Sequence, residues 1–406
     1  MKLTIPIARI ARPSAIALLA VTLSFCAWLY PDYGVLRKGF TIAEQPGLVT
    51  SFILFSWYLL IFTSLVIGQK LGTAFSAKRR TVPNIPPLDS PLVYWSFTVL
   101  GTIGAIGTFL RIFQTLPLLQ AALYIYLGQG NRLKNTLYEG YSAGIFSLRY
   151  LVLYSACLAI YRTVKRRRIS FSAILNLLLL GATVLISSRL ILIATIVISI
   201  FLLTYGKRNI QLSLVKMSVF AVLLFVVLSF LNSSRNRNFY SQRNLSTSEA
   251  SISEIITYLG SPFNVALGAA SRTSEITAGP PDLYRQYIDV EGSLTTNSAF
   301  VELHERMGYL AWPYIGFMCC FMGFMFTWLS SFGRTSLLLP CGAILYASAE
   351  LWRLDLFRQG IFVVWFVTGI GVPAILLAFS KRRSPRTLRV QRIRRFNNAN
   401  RPEPQT

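Results

Sequence analysis

The sequence predicts an all-α, polytopic integral membrane protein with about ten transmembrane helices and one large, mostly helical outer loop. Three observations carry that prediction. Of 406 residues, 53% are hydrophobic and only 14% are charged, and mean hydropathy is +0.53, a balance foreign to soluble domains. The apolar residues fall in runs close to the roughly 20 residues that a helix needs to cross a bilayer core about 30 Å thick. Lys and Arg outnumber Asp and Glu by 40 to 15 and gather between those runs, as they do in loops retained on the cytoplasmic side.

Taken in order, the first run, Ser14 to Tyr30, follows Lys2, Arg9 and Arg12. Tyr30-Pro31-Asp32-Tyr33-Gly34 stands where a small-x-small cleavage site would, so this run reads as an uncleaved first span. Spans follow at 48–67, 91–110, 143–161, 171–188, 190–205, 214–231, 308–330, 335–352 and 359–379. The segment 112–127 is apolar but short and holds Pro117, so it is expected to be re-entrant or interfacial.

Charge parity agrees. With the N-terminus inside, Lys70/Lys78/Arg79/Arg80, the Arg162–Arg168 cluster, Lys207/Arg208/Lys216, Arg334 and the basic tail at 380–406 share one side. An eleventh crossing at 112–127 would split them. Both termini are then cytoplasmic, the tail can touch anionic lipid, and the net charge of +25 is read as topology rather than nucleic-acid binding. The outer side holds a loop at 31–47, a segment at 111–142, the large loop at 232–307 and a tight turn at 353–358. Within the large loop, a helix is expected from Ser248-Glu249 to Gly260-Ser261-Pro262, because a Ser cap with early acids suits an N-terminus. A second should begin near Thr296-Asn297 and carry Glu302, His304 and Glu305 toward the next span.

The stretch Phe171–Tyr205 organises the candidate chemistry. It is a hairpin of two short spans whose only charge is Arg189, at the turn. An arginine near the bilayer core is tolerated where it faces a wet cavity or an anion. Arg149 lies inside a span, Arg111 tops another, Arg306 closes the large loop, and Arg353 and Arg358 flank the outer turn. Arginine presents a planar fork that matches phosphate oxygens two at a time. These residues therefore read as a site for a lipid-linked phosphate, or else as cations that snorkel or pair with Glu350, Asp355 and Glu139. Aromatics beside carboxylates in the loop (Tyr258, Phe263, Tyr284, Tyr287 with Asp282, Asp289, Glu291) suit carbohydrate, and equally suit ordinary loop packing. The sole histidine, His304, with Glu302 and Glu305, is a candidate acid/base pair. The five cysteines fall in apolar runs, so neither a disulfide framework nor a metal site is expected, and no cofactor motif occurs.

Three stretches resemble the Wzy-type oligosaccharide repeat-unit polymerases, which are related to the O-antigen ligases. Ile186-Ser187-Ser188-Arg189-Leu190-Ile191-Leu192 is similar to that group's Ser-Arg motif. Ile256-Thr257-Tyr258-Leu259-Gly260-Ser261-Pro262 looks like its Tyr…Pro loop segment. Thr296-Asn297-Ser298-Ala299-Phe300, with Arg306-Met307-Gly308-Tyr309-Leu310, is similar to the Asn-containing loop end and following glycine. Where the related ligases carry His directly before that Asn, this chain has Thr296.

The resemblance implies a bacterial inner-membrane glycosyltransferase with a periplasmic loop, acting in O-antigen or exopolysaccharide biosynthesis. It would transfer a growing glycan from polyprenyl pyrophosphate to a sugar hydroxyl on an incoming lipid-linked unit, beside a flippase and a chain-length regulator. Arg189 would stabilise the leaving pyrophosphate, and His304 or a nearby carboxylate such as Glu302 would take the acceptor proton. Arg149, Arg111, Arg306, Arg353, Arg358, Tyr258 and Asn297 would bind substrate. Two other classes stay open at this stage: a flippase for lipid-linked sugar, and another lipid-linked glycosyltransferase of the C type.

Overall fold

The computed structural model describes residues 2–29, 47–79, 84–127, 129, 145–186, 189–241, 246–280, 283 and 297–399. The chain is mostly helical, at 83%. Among the described residues, five helices are long and apolar enough to cross a membrane: Leu48–Ala77, Pro91–Thr115, Leu214–Ser233, Ala299–Ser330 and Gly360–Phe379. Four shorter apolar helices join them, Pro13–Trp28, Phe171–Ile186, Leu190–Thr204 and Leu338–Glu350. The architecture is that of a helical membrane protein. The span Leu214–Ser233 is the clearest case, since only 6% of its apolar window is buried. Val219, Leu223, Val226 and Phe230 point outward from it, and such a face is stable in lipid but not in water.

In chain order we label α1 Pro13–Trp28, α2 Leu48–Ala77, α3 Pro91–Thr115, α4 Leu118–Tyr126, α5 Val152–Arg166, α6 Phe171–Ile186 and α7 Arg189–Thr204. Then come α8 Leu214–Ser241, α9 Thr247–Ala270, α10 Thr273–Ala278, α11 Ala299–Met307, α12 Ala311–Ser330, α13 Leu338–Glu350 and α14 Gly360–Ala399. The nine-residue α4 occupies the segment around Pro117, and at 1.5 Å per residue it reaches only about 14 Å. The basic tail continues the last helix to Ala399.

Two features depart from an all-helical chain with a loop at 232–307. Lys2–Ile5 pairs antiparallel with Ile210–Ser213 in a two-stranded ribbon, Ile5 opposite Ile210. Pro6 follows the first strand directly. The first part of the expected loop is instead helix, because α8 runs unbroken to Ser241.

The loop helix α9 starts one residue earlier than Ser248 and ends eight later than Pro262. Ser246 is its cap, accepting from the Glu249 amide while Glu249 reaches back to the Ser246 amide, a complete capping box. Pro262 does not end it, although proline deprives a helix of one backbone bond. Interhelical contacts brace this part of the helix: the Ser24 hydroxyl donates to the Leu259 carbonyl at 2.7 Å, and Trp28 Nε1 donates to Asn264 Oδ1 at 3.1 Å.

The tightest packing is between α2 and α12, where glycines let backbones touch. A Cβ on Gly68 would stand 2.0 Å from the Cys320 carbonyl oxygen, and one on Gly323 2.5 Å from that of Leu65. Spacing of Gly68 and Gly72 by four residues puts both on one helix face, the small-xxx-small pattern of membrane helix pairs. Similarly, Gly104 on α3 admits the backbone of Arg149, whose nitrogen would lie 2.0 Å from a Cβ there.

Candidate functional site

The site is built where α11 meets the turn between α13 and α14. Asn297 and Ser298 start α11: Asn297 Oδ1 accepts from the Ser298 amide at 2.7 Å, and Ser298 Oγ accepts from Phe300 N at 3.3 Å. The helix then buries Ala299 through His304 and stops at Gly308, whose φ of 56° suits glycine.

Residues four apart share a helix face, and residues two apart do not. Glu302 and Arg306 therefore look one way, Phe300 and His304 another. This corrects the expected pairing of His304 with Glu302. His304 Nδ1 lies 2.7 Å from the Phe300 carbonyl oxygen, which can only accept, so Nδ1 carries the proton. The ring packs among Phe300, Trp57 and Trp312, with centroids 4.2, 5.4 and 6.3 Å away, and the residue is 1% exposed. His304 locks α11 onto α2 and α12.

Glu302 faces the cations. Its Oε1 accepts from Arg358 Nη2 at 2.7 Å and Gln359 Nε2 at 3.4 Å, with Arg306 Nη2 at 3.8 Å. Its Oε2 is buried with no hydrogen-bond partner among the described residues. Arg358 thus pairs with Glu302 and not with Asp355.

Asp355 is the residue that sequence reasoning undervalued, naming it only as an ion-pair partner. It is 0% exposed. Tyr314 Oη donates to its Oδ2 at 3.1 Å, and Oδ1 is buried without a hydrogen-bond partner among the described residues. Burial pushes its pKa up to about 6, Glu302 adds to the rise, and Tyr314 and Arg358 oppose it. A carboxyl held near neutrality has the acid–base character of a proton acceptor. A rare acid in the turn between α13 and α14 was the only signal the sequence offered.

The same turn carries a second, partly buried cation. Arg353 binds Glu350 Oε2 through Nε at 3.1 Å and Nη2 at 2.9 Å, while Tyr346 Oη donates to Glu350 Oε1 at 2.6 Å. The Arg353 guanidinium covers the Tyr258 ring, 4.6 Å from its centroid, which joins α9 to the same turn.

Arg149 is fully buried on the 3₁₀ turn Ile145–Leu151. Its Nη2 donates to Tyr150 Oη at 2.8 Å, and Trp365 Nε1 donates to the Tyr150 carbonyl at 2.8 Å. Trp365 lies seven residues past Arg358, about 10 Å along the chain if helical, so Arg149 sits one to two turns below the cluster. Arg111 lies on α3 two turns beyond Gly104, the glycine that contacts Arg149.

Arg189 begins α7, and its side chain lies outside the described residues, as do Glu139, Asp282, Tyr284, Tyr287, Asp289 and Glu291. No group of three His, Cys, Asp or Glu that could hold a metal ion occurs among the described residues.

The opposite ends of these helices gather other charges. Lys165 of α5 pairs with Asp89 and holds its carboxyl below the usual carboxylate range, chiefly by hydrogen bonding. Arg334 Nη2 donates to the Tyr205 carbonyl at 3.3 Å, and the Leu88 amide donates to the Arg334 carbonyl at 3.3 Å. Tyr314 and Ser330 bracket α12, 16 residues apart, or about 24 Å. The carboxylate–arginine cluster and the basic rim thus occupy opposite ends of the bundle. Comparison with protein-family models, curated proteins and solved structures finds no match.

Proposed function

We propose that this chain is a membrane glycosyltransferase that polymerises lipid-linked oligosaccharide repeat units, with the Glu302–Asp355–Arg358 cluster on the acceptor side of its site. The observation that carries the reading is the pair of buried carboxylates, each with one oxygen lacking a donor among the described residues, beside an arginine whose side chain is 27% exposed. Two unfilled acceptors call for donors, and sugar hydroxyls are donors. Arg358 supplies charge that is still reachable from outside.

In the proposed step an acceptor hydroxyl oxygen attacks the anomeric carbon of the growing glycan. Its proton passes to Asp355, and the bond from that carbon to the pyrophosphate oxygen breaks. Polyprenyl pyrophosphate leaves with the bonding pair, and fixed cations stabilise its charge. Arg189 and Arg149 are assigned that role, with Arg111 nearby. Ten crossings, cytoplasmic termini and a periplasmic site belong to this reading. Its support is that the charges assigned inside by parity meet at one end of the helices, while Glu302, Asp355 and Arg358 meet at the other.

The test is elongation of lipid-linked repeat units by purified protein in detergent, where transport across two sides cannot occur. Longer glycans are expected from the intact chain and none from Arg189→Ala or Asp355→Asn. Full polymer length from both variants would overturn the mechanism. Absent elongation, with vesicle transport of the same lipid-linked unit, would favour the flippase instead.

A further inference from the structure

A cavity of about 580 Å³ opens at the basic end of the bundle, between the turn Ile7–Ile10, α2, α7 and α12. Arg12, Lys70, Lys207 and Arg208 line it, and no Asp or Glu does. All four cations are exposed, and none forms an ion pair among the described residues. Nor are they gathered by chance of a loose tail. The β-ribbon pairs Ile5 with Ile210, so the segments carrying Arg12 and Lys207-Arg208 are fixed side by side, and the Ala8 amide reaches the Arg208 carbonyl at 3.5 Å. Arg12 Nε donates to the Ala8 carbonyl at 3.2 Å, which holds its stem along the rim.

The interior has a polar and an apolar part. Gln69 Nε2 donates to Ser14 Oγ at 3.3 Å and ties α2 to α1 at the floor. Val66, Phe201 and Phe326 form the apolar wall. Four like charges around one hollow repel each other, and a bound anion relieves that repulsion. The volume lies within the range of small-ligand sites. Lysine as a point charge and arginine as a fork together suit phosphate oxygens.

We propose that this cavity binds a phosphate-bearing ligand, a role separate from the carboxylate–arginine cluster about 24 Å away along α12. Two sources share that chemistry: the headgroup of an anionic phospholipid, whose acyl chains would lie along the apolar wall, and a soluble pyrophosphate ester.

The test uses the purified full-length chain in nanodiscs of phosphatidylcholine, with phosphatidylglycerol or free pyrophosphate added in separate arms and binding read by native mass spectrometry. Each cation near an anionic surface is worth about a fivefold change in affinity. Lys70→Gln/Lys207→Gln should therefore weaken binding by about 25-fold. Arg9→Gln, which removes a charge of the same segment outside the cavity, should leave it unchanged. Thr73→Trp keeps every charge but fills the space from an exposed position, and should also abolish binding; this arm holds if the double variant fails to fold. Retention of phosphatidylglycerol alone assigns a lipid site, and retention of pyrophosphate alone a soluble-ligand site. Retention of neither overturns the proposal, as does equal loss in Arg9→Gln or full binding by Thr73→Trp.

Discussion

Replacing Arg358 by Gln separates the structural from the chemical role of the site. The Glu302 side chain is 9% exposed and that of Arg358 27%, so the pair is largely withdrawn from water. Without Arg358, Glu302 Oε1 keeps only Gln359 at 3.4 Å and Arg306 at 3.8 Å, and Arg306 is 62% exposed. Breaking a buried pair from one side costs about 3–5 kcal/mol; the partial exposure of Arg358 lowers this to about 2–3 kcal/mol. With roughly 2 °C per kcal/mol for a chain of this size, melting followed by tryptophan fluorescence in detergent should fall by about 4–6 °C. Glu302→Gln/Arg358→Gln removes both charges and should recover most of that loss, since replacing a buried pair as a unit is often close to neutral. Polymer length in cells then decides the question. If Arg358 serves the reaction, the double variant is stable yet makes no long polymer. Long polymer from the stable double variant would refute a chemical role and leave the pair as packing alone.

Asp355→Asn tests the poised carboxyl. Its folded pKa of about 6 exceeds the ordinary 3.8, so the folded state holds a proton that the unfolded chain releases in between. Stability is full below about pH 4 and is lost as pH rises through about 6, by up to about 3 kcal/mol; Asp355→Asn should flatten that slope in denaturation at pH 4–7, and an unchanged slope would refute the assignment. Gly68→Leu drives a side chain into the Cys320 carbonyl, where even a Cβ stands at 2.0 Å, so the folded protein should vanish from size-exclusion profiles, while Leu71→Ala on the exposed side should not. Ser246→Ala removes the capping box and should cost about 1 kcal/mol, seen as faster amide exchange confined to the first turn of α9.

How far these features could be read from the chain depends on the range of the forces involved. Apolar runs and clustered cations are local signals, and each stretch expected as a span between Ser14 and 379 holds a helix. The start of α11 was legible too, because Asn297 and Ser298 cap their own neighbours. Pro262 misled, because α9 continues through it packed against α1, where Ser24 bonds Leu259 from 235 residues away. The ribbon was missed for the same reason: neither four-residue strand has meaning without its partner across 200 residues. Gly68 and Gly72 were visible as spacing, but only the backbone of α12 explains them. At the site, Glu302 and His304 were correctly seen as neighbours in sequence. Their separation by helical rotation sent one toward Arg358 and the other into Trp57, and the more interesting partner, Asp355, arrived from a turn more than fifty residues later.

Charge sorting links the two ends of the molecule. Parity arguments place Arg12, Lys70, Lys207, Arg208 and Arg334 on one side using only their order along the chain. The structure brings the first four around one cavity and sets Arg334 against Tyr205 beside it. Asp355, Glu302 and Arg358, assigned to the other side by the same count, meet each other instead. An error of one crossing between residues 112 and 127 would have put Lys207 and Lys70 at opposite ends, where no shared cavity could form. The nine-residue α4, about 14 Å long, is too short to make that crossing. The contacts at the basic end and the length of α4 are each compatible with that parity. A cysteine-accessibility map settles it: Thr73→Cys and Arg306→Cys should label from opposite faces of the membrane, and labelling from one face would undo both the parity and the assignment of the two sites to separate compartments.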